Sequence, residues 1–148
     1  ADTVKKCADI SNIIALKEAG GSVEQFKEFR QVTPVDFQIY SGDDALTLPF
    51  MMNGGNGVVS VASHIAGKQI HDMIAAIENG DQVTAKELDT ILQPLFEILF
   101  ITSNPVPLKA ALKLIGFDCG TTRPPLMSIT EDQKTKIETV VDAFFEKV

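Results

Sequence analysis

The 148-residue sequence contains no tryptophan, one tyrosine, two cysteines and two histidines. Two cysteines, Cys7 and Cys119, are too few for a disulfide framework and lack the paired spacing of a zinc site. The chain therefore fits a reducing, cytoplasmic setting. Cys7 is expected on a helix and Cys119 in a loop, neither with a redox role. His64 and His71 have no cysteine or paired carboxylate to complete a ligand set, so no metal is expected. No apolar run reaches the ~18–20 residues of a membrane span. The opening ADTVKKCADIS lacks the charged-then-apolar layout and cleavage site of a secretory signal. Lysine and arginine form no cluster, and the net charge is −7. That balance argues against nucleic acid and anionic membranes as partners.

Composition points to a globular chain, since 45% hydrophobic and 22% charged residues suffice for a real core. Residues 2–10 place apolar side chains at helical spacing, with Asp2 or Thr3 as N-cap. Residues 12–18 are a short, nearly continuous apolar run closed by Ala19-Gly20-Gly21, the pattern of a parallel strand buried on both faces. Ser22-Val-Glu-Gln25 has the form of a capping box and opens a helix over 22–31, which Thr33-Pro34 stops. Residues 37–41 form a second strand, with Phe37, Ile39 and Ser41 on one face and Gln38 and Tyr40 on the other. A helix over 45–53 follows and ends at Asn53-Gly54-Gly55. Pro49 inside it implies either a late start or a kink. Residues 57–61 are a third strand. Helices are then expected over 67–79, 83–101, 105–116 and 130–147, with Asn104-Pro105 as N-cap and first-turn proline and Thr130-x-x-Gln133 as a second capping box.

Alternating strands and helices specify parallel strands with right-handed crossovers. Three parallel strands cannot close a barrel, which needs about eight. An open three-stranded α/β sheet is the alternative, but it leaves two hydrophobic edges to cover. The chain also starts on a helix with no strand before it, and so reads as a piece of something larger.

Lys17 is the first candidate for chemistry. An ammonium at the end of an apolar strand is partly desolvated, which favours the neutral amine that Schiff-base formation needs. The plainer reading is a lysine reaching solvent, with Glu18 doing the same. Ser41-Gly42-Asp43-Asp44 lies at the corresponding end of the second strand. There a glycine lets backbone approach a ligand, and the next helix offers free N–H groups. The plainer reading is a turn glycine with aspartates capping a helix. Asp43 and Asp44 are adjacent and diverge, so they make a poor acid/base pair. Gly54-Gly55-Asn56-Gly57 lacks the lysine and serine of a phosphate loop and precedes a strand, so it reads as a helix stop. Met51, Met52, Phe96, Phe100, Phe144 and Phe145 read as core or interface.

Five spaced motifs carry a resemblance: Ile14-Ala-Leu-Lys-Glu-Ala19, Ser41-Gly-Asp-Asp-Ala45, Gly54-Gly-Asn-Gly-Val-Val-Ser-Val61, Asn104-Pro-Val-Pro-Leu-Lys-Ala110 and Arg123-Pro-Pro-Leu126. Together they resemble the C-terminal half of the dihydrodipicolinate synthase family, pyruvate-dependent class I aldolases of lysine biosynthesis. The resemblance implies an α/β fold, the C-terminal part of a (β/α)₈ TIM barrel followed by a helical region. Residues 1–66 would be the barrel segment, and 67–148 its last helix and the C-terminal helices. Lys17 matches the family's Schiff-base lysine, and Gly42 and Val59 match positions whose backbones line the pyruvate pocket. Val59 stands where isoleucine is usual. The implied substrates are pyruvate and L-aspartate 4-semialdehyde, with no cofactor, and the implied assembly is a homo-oligomer, a dimer of dimers.

The family's relay threonine and tyrosines, its entrance arginine and its first five strands match nothing here. Tyr40 alternates away from the face that carries Ser41. The chain is therefore expected to need the N-terminal half of the same barrel and to be inactive alone. The alternatives are an N-acetylneuraminate lyase-like or keto-deoxy-sugar aldolase, and a non-catalytic half-barrel that serves assembly.

Overall fold

The computed structural model describes residues 1–148, which form two compact units. One comprises residues 1–60 and 74–82, the other residues 61–73 and 83–148. The first unit begins with α1 (Asp2–Ala8), β1 (Ala15–Glu18), α2 (Val23–Val32) and β2 (Gln38–Ser41). A single 3₁₀ turn, Asp44–Leu46, then leads into α3 (Thr47–Met52). α1 is capped by the backbone of Ala1 with no side-chain bond, so neither Asp2 nor Thr3 serves as the cap. α2 starts at the expected cap, where Ser22 Oγ accepts the Gln25 N–H at 3.2 Å. Pro49 falls in the first turn of α3, so the late start applies and no helical donor is lost. The stop is a Schellman turn. Gly54 takes φ +91°, its N–H bonds Met51 O, and the Gly55 N–H bonds Phe50 O at 2.9 Å.

β1 and β2 pair in parallel, with Leu16 opposite Ile39 and Lys17 opposite Tyr40. The third strand is reduced to one parallel bridge, Ser41 to Val58. Gly57, at φ +136°, interrupts the regular extended backbone just before it. One sheet face covers the core of this unit: Phe26, Phe29, Phe37, Ile39 and Phe50, with Leu16 packed against them. The rings of Phe26 and Phe50 lie 4.7 Å apart. The expectation of a strand buried on both faces does not hold, because Ala15 and Lys17 on the opposite face of β1 are exposed. That face of β1 is open in this chain, and Tyr40 on the same face of β2 is half-buried.

Arg30 ties the end of α2 to the start of β2. Its guanidinium donates to Phe37 O at 2.7 Å, to Thr33 Oγ1 at 2.9 Å and to Pro34 O. Arg30→Ala is expected to lower unfolding free energy by roughly 1.5–3 kcal/mol, the range for hydrogen bonds to a charged group. Urea titration checks it, and an unmoved midpoint would show that water replaces the guanidinium.

α4 (Ser63–Glu78) runs through both units and bends at Ala66, where φ is −116° and ψ 31°. The second unit continues with α5 (Gln82–Ile98), α6 (Val106–Leu114) and α7 (Glu131–Phe145). Leu92, Leu95 and Phe96 make the buried stripe near the end of α5, which Leu99 continues just beyond it, and Ile137, Val141 and Phe144 make that of α7. Phe100 and Phe145, by contrast, are exposed. The cap of α6 is Pro105, without a side-chain bond, so Asn104 does not cap it. α7 has the full capping box, with Thr130 and Gln133 bonded reciprocally. No helix is long and apolar enough to cross a membrane.

Asp89 on α5 is half-buried, and burial pushes its carboxyl up from 3.8, opposed by the Gln93 amide that donates to it at 2.9 Å. A carboxylate raised on folding disfavours the ionised form, so stability is lost as pH rises above the unfolded value. Asp89→Asn keeps the acceptor and removes the charge. Its melting temperature is expected to exceed that of the parent at pH 7, with the gap closing as pH falls toward 3.8.

Candidate active site

The carboxyl ends of β1 and β2 and the 57–59 segment lie side by side. Glu18 is opposite Ser41, and Ser41 in turn bridges to Val58. The backbone ties run through the loop residues: the Gly42 N–H bonds Glu18 O at 2.5 Å, and the Val59 N–H bonds Ser41 O at 2.8 Å. Three parallel segments thus bring Lys17, Gly42 and Val59 to one rim.

Lys17 is on the face turned away from the core, with its side chain exposed. Its stem leans over Gly42. A Cβ built at Gly42 would lie 2.9 Å from Lys17 Cε, 2.8 Å from Ala19 Cβ and 2.8 Å from Glu18 O. Those approaches are closer than any real side chain tolerates, so glycine here is a condition of the lysine's position. The desolvation expected from an apolar strand is not supplied by this chain, because the face that carries the amine is open. Val59 is also exposed, one residue beyond the bridge.

Glu18 does not reach solvent with Lys17, as the plainer reading has it. It is 4% exposed. One carboxylate oxygen accepts the Gly20 N–H at 2.6 Å, and the other is buried without a hydrogen-bond partner. Strand alternation explains the divergence, since neighbouring residues point to opposite faces. The loop after β2 is likewise more self-contained than expected. Ser41 Oγ accepts the Asp43 N–H, and Asp43 caps the Ala45 N–H at 3.0 Å. These N–H groups are already engaged. Asp43 and Asp44 do diverge, the latter being 2% exposed.

Sequence reasoning missed Asn56, whose side chain accepts the Ile39 N–H at 2.8 Å while its own N–H bonds Ile39 O at 2.8 Å. An asparagine among glycines reads as a turn, so its strand-mimicking role has no sequence signal. His64 and His71 both lie on α4, where His64 Nδ1 is 2.9 Å from Val61 O. No three histidine, cysteine or acidic side chains converge anywhere in the chain.

A cavity of about 460 Å³ belongs entirely to the second unit and contains none of these residues. Its lysines are engaged: Lys109 Nζ donates to Cys119 O and Thr121 O, and Lys113 pairs with Asp118 at 3.0 Å. The Gly120 N–H and the Lys113 ammonium hold Asp118 below the usual carboxylate range.

Residues 1–144 match the dihydrodipicolinate synthetase family. The 4-hydroxy-tetrahydrodipicolinate synthase of Nostoc sp. is 49% identical over 140 residues, which are 95% of this chain and 48% of that protein. The structure of the Cyanidioschyzon merolae enzyme with lysine bound is similar at a TM-score of 0.94 and 46% identity, over 97% of this chain and 49% of that one. The 4-hydroxy-tetrahydrodipicolinate synthase of Methylacidiphilum fumariolicum gives a TM-score of 0.95 at 39% identity, over 99% and 49% of the two chains. The chain spans about half the length of the curated relatives it matches.

Proposed function

Because the chain belongs to the dihydrodipicolinate synthetase family, we propose that it is the catalytic-lysine half of a 4-hydroxy-tetrahydrodipicolinate synthase. On this reading the whole protein is a (β/α)₈ barrel, and another segment supplies the strands that cover the open sheet face. The observation that carries the reading is the seat of Lys17: a lysine at the carboxyl end of a parallel strand, its stem resting on a glycine that admits no side chain. Barrel enzymes place their active sites at that end of the strands.

In the proposed reaction, Lys17 Nζ adds to the keto carbon of pyruvate, and water leaves to give the protonated imine. Loss of a methyl proton delivers an electron pair into the imine and gives the enamine. The enamine carbon then bonds the aldehyde carbon of L-aspartate 4-semialdehyde, whose oxygen takes up a proton. Finally the amino group of that substrate displaces Lys17 and closes the ring. Gly42 and Val59 would line the pyruvate pocket with their backbones, while the acid/base groups come from the other half of the barrel. General acid/base help is typically worth ~10²–10⁴ in rate. The 148-residue segment alone is therefore inactive on this reading, and the whole protein is a homo-oligomer. Ser41-Gly42-Asp43-Asp44 and Asn104-Pro-Val-Pro107 favour the synthase over an N-acetylneuraminate lyase-like aldolase.

Borohydride reduction in the presence of pyruvate tests the assignment in the full-length protein. Peptide mass mapping is expected to find the reduced adduct on Lys17 alone. An adduct on another lysine, or none, sinks the reading. Turnover with N-acetylneuraminate in place of aspartate semialdehyde would leave the lysine assigned and move the protein to the neighbouring activity.

A further inference from the structure

The buried polar and charged side chains of the chain are Glu18, Ser41, Asp44 and Thr47, and all of them gather at one end of the sheet. Glu18 and Ser41 are the last residues of β1 and β2 and stand opposite each other in register. Asp44 and Thr47 belong to the turn and helix that follow β2. The hydroxyls are satisfied locally: Ser41 Oγ donates to Asp43 O and Thr47 Oγ1 to Asp44 O, both at 2.7 Å. Glu18 is different. It shares a strand face with Leu16, which packs against the phenylalanine core. It is 4% exposed, and one of its carboxylate oxygens is buried without a partner. An apolar side chain would suit that place better, because a buried carboxylate oxygen left unpaired costs stability. Stability therefore does not explain the residue.

Its bonds do. Glu18 grips the rim at two points. Its carbonyl accepts the Gly42 N–H at 2.5 Å. Its other carboxylate oxygen accepts the Gly20 N–H at 2.6 Å, which fixes the peptide between Ala19 and Gly20. Gly20 is itself fitted to that oxygen, since a Cβ built on it would lie 2.6 Å away. Ala19 and Lys17 both close on Gly42, where a Cβ would meet Ala19 Cβ at 2.8 Å and Lys17 Cε at 2.9 Å. The Glu18 carboxylate thus holds the turn that walls the glycine on which the lysine stem rests.

We propose that Glu18 is a positioning residue for Lys17: its buried carboxylate locks the Ala19-Gly20 turn and so keeps the lysine stem seated on Gly42. The inference rests on the synthase reading and deepens it, because it assigns a role to an inward-facing residue that does not touch the substrate. The contacts it uses lie among residues 17–20 and 42.

The test compares Glu18→Met and Glu18→Gln in the full-length protein. Two quantities are read: the rate of pyruvate adduct formation on Lys17, by borohydride trapping at saturating pyruvate, and the midpoint of urea unfolding. Methionine matches the length of glutamate, suits a buried site and removes both oxygens. Its trapping rate is expected to fall about tenfold, a part of the ~10²-fold loss that a misplacement of about 1 Å brings. Its midpoint is expected to stay level or rise. Glutamine keeps an oxygen for the Gly20 N–H, and its trapping rate is expected to stay near that of the parent. Glu18→Leu replaces Met if that variant does not fold. A merely structural role would move rate and midpoint together. The proposal is overturned if Met traps pyruvate at the parental rate, if Gln is as slow as Met, or if the Met midpoint falls in step with its rate. If the parent protein gives no adduct on Lys17, the synthase reading fails and this inference falls with it. Any of the three overturning results with a parental adduct on Lys17 removes the inference alone.

Discussion

Lys17→Arg in the full-length protein is expected to abolish the pyruvate adduct and to lower kcat by roughly 10⁴–10⁶, the scale on which a covalent nucleophile is lost. Arginine preserves the length and the positive charge of the side chain, so packing over Gly42 changes little. It stays protonated at every accessible pH and has no amine lone pair to offer a carbonyl. The substitution therefore separates charge from nucleophilicity. If Lys17 merely attracts the carboxylate of the substrate, Lys17→Arg keeps most of its activity, and KM is the parameter that moves. If Lys17 forms the imine, kcat collapses while the melting temperature stays near that of the parent. Residual turnover within tenfold of the parent contradicts the covalent role.

The second large effect is expected from Gly42→Val. Even one carbon at this position meets Ala19 Cβ and Glu18 O at 2.8 Å and Lys17 Cε at 2.9 Å. Two of those contacts are backbone or a short methyl, which yield only if the loop shifts; the third is the lysine stem, which yields by swinging away. Overpacking of this kind costs typically 1–3 kcal/mol. Misplacing a reacting group by about 1 Å costs about 10²-fold in rate. Gly42→Val is accordingly expected to slow adduct formation by about 10²-fold and to lower stability by about 1–3 kcal/mol. Single-turnover trapping and urea titration read the two separately. A variant that loses stability but traps pyruvate at the parental rate would show that the glycine serves the turn and not the lysine.

Much of this arrangement was legible from local chemistry. Ser22 and Thr130 cap their helices because a hydroxyl three residues before a free N–H is a local bond, needing nothing distant. Gly54 ends α3 for the same kind of reason, since the left-handed φ at that position favours glycine. The alternation of Phe37, Ile39 and Ser41 against Gln38 and Tyr40 survived intact, being a period-two pattern with one face paid out to the core. The third strand is shorter than its residues suggest. Val58 and Val59 have strand propensity, but Gly57 turns the backbone and only one bridge forms. Neither Asp2 nor Thr3 caps α1, and Asn104 does not cap α6, because a capping residue type is permissive and the backbone entering the helix decides.

Sequence alone determined the order of strands and helices, the candidate lysine and the family resemblance, because periodicity, turn residues and spaced motifs are written along the chain. Only the tertiary structure decided that Lys17 leans on Gly42, that Glu18 turns inward, and that Asn56 and Tyr40 flank the rim from the next segments. Those relations depend on which strands become neighbours and in what register. Register is settled by burying Phe26, Ile39 and Phe50 together, residues far apart along the chain.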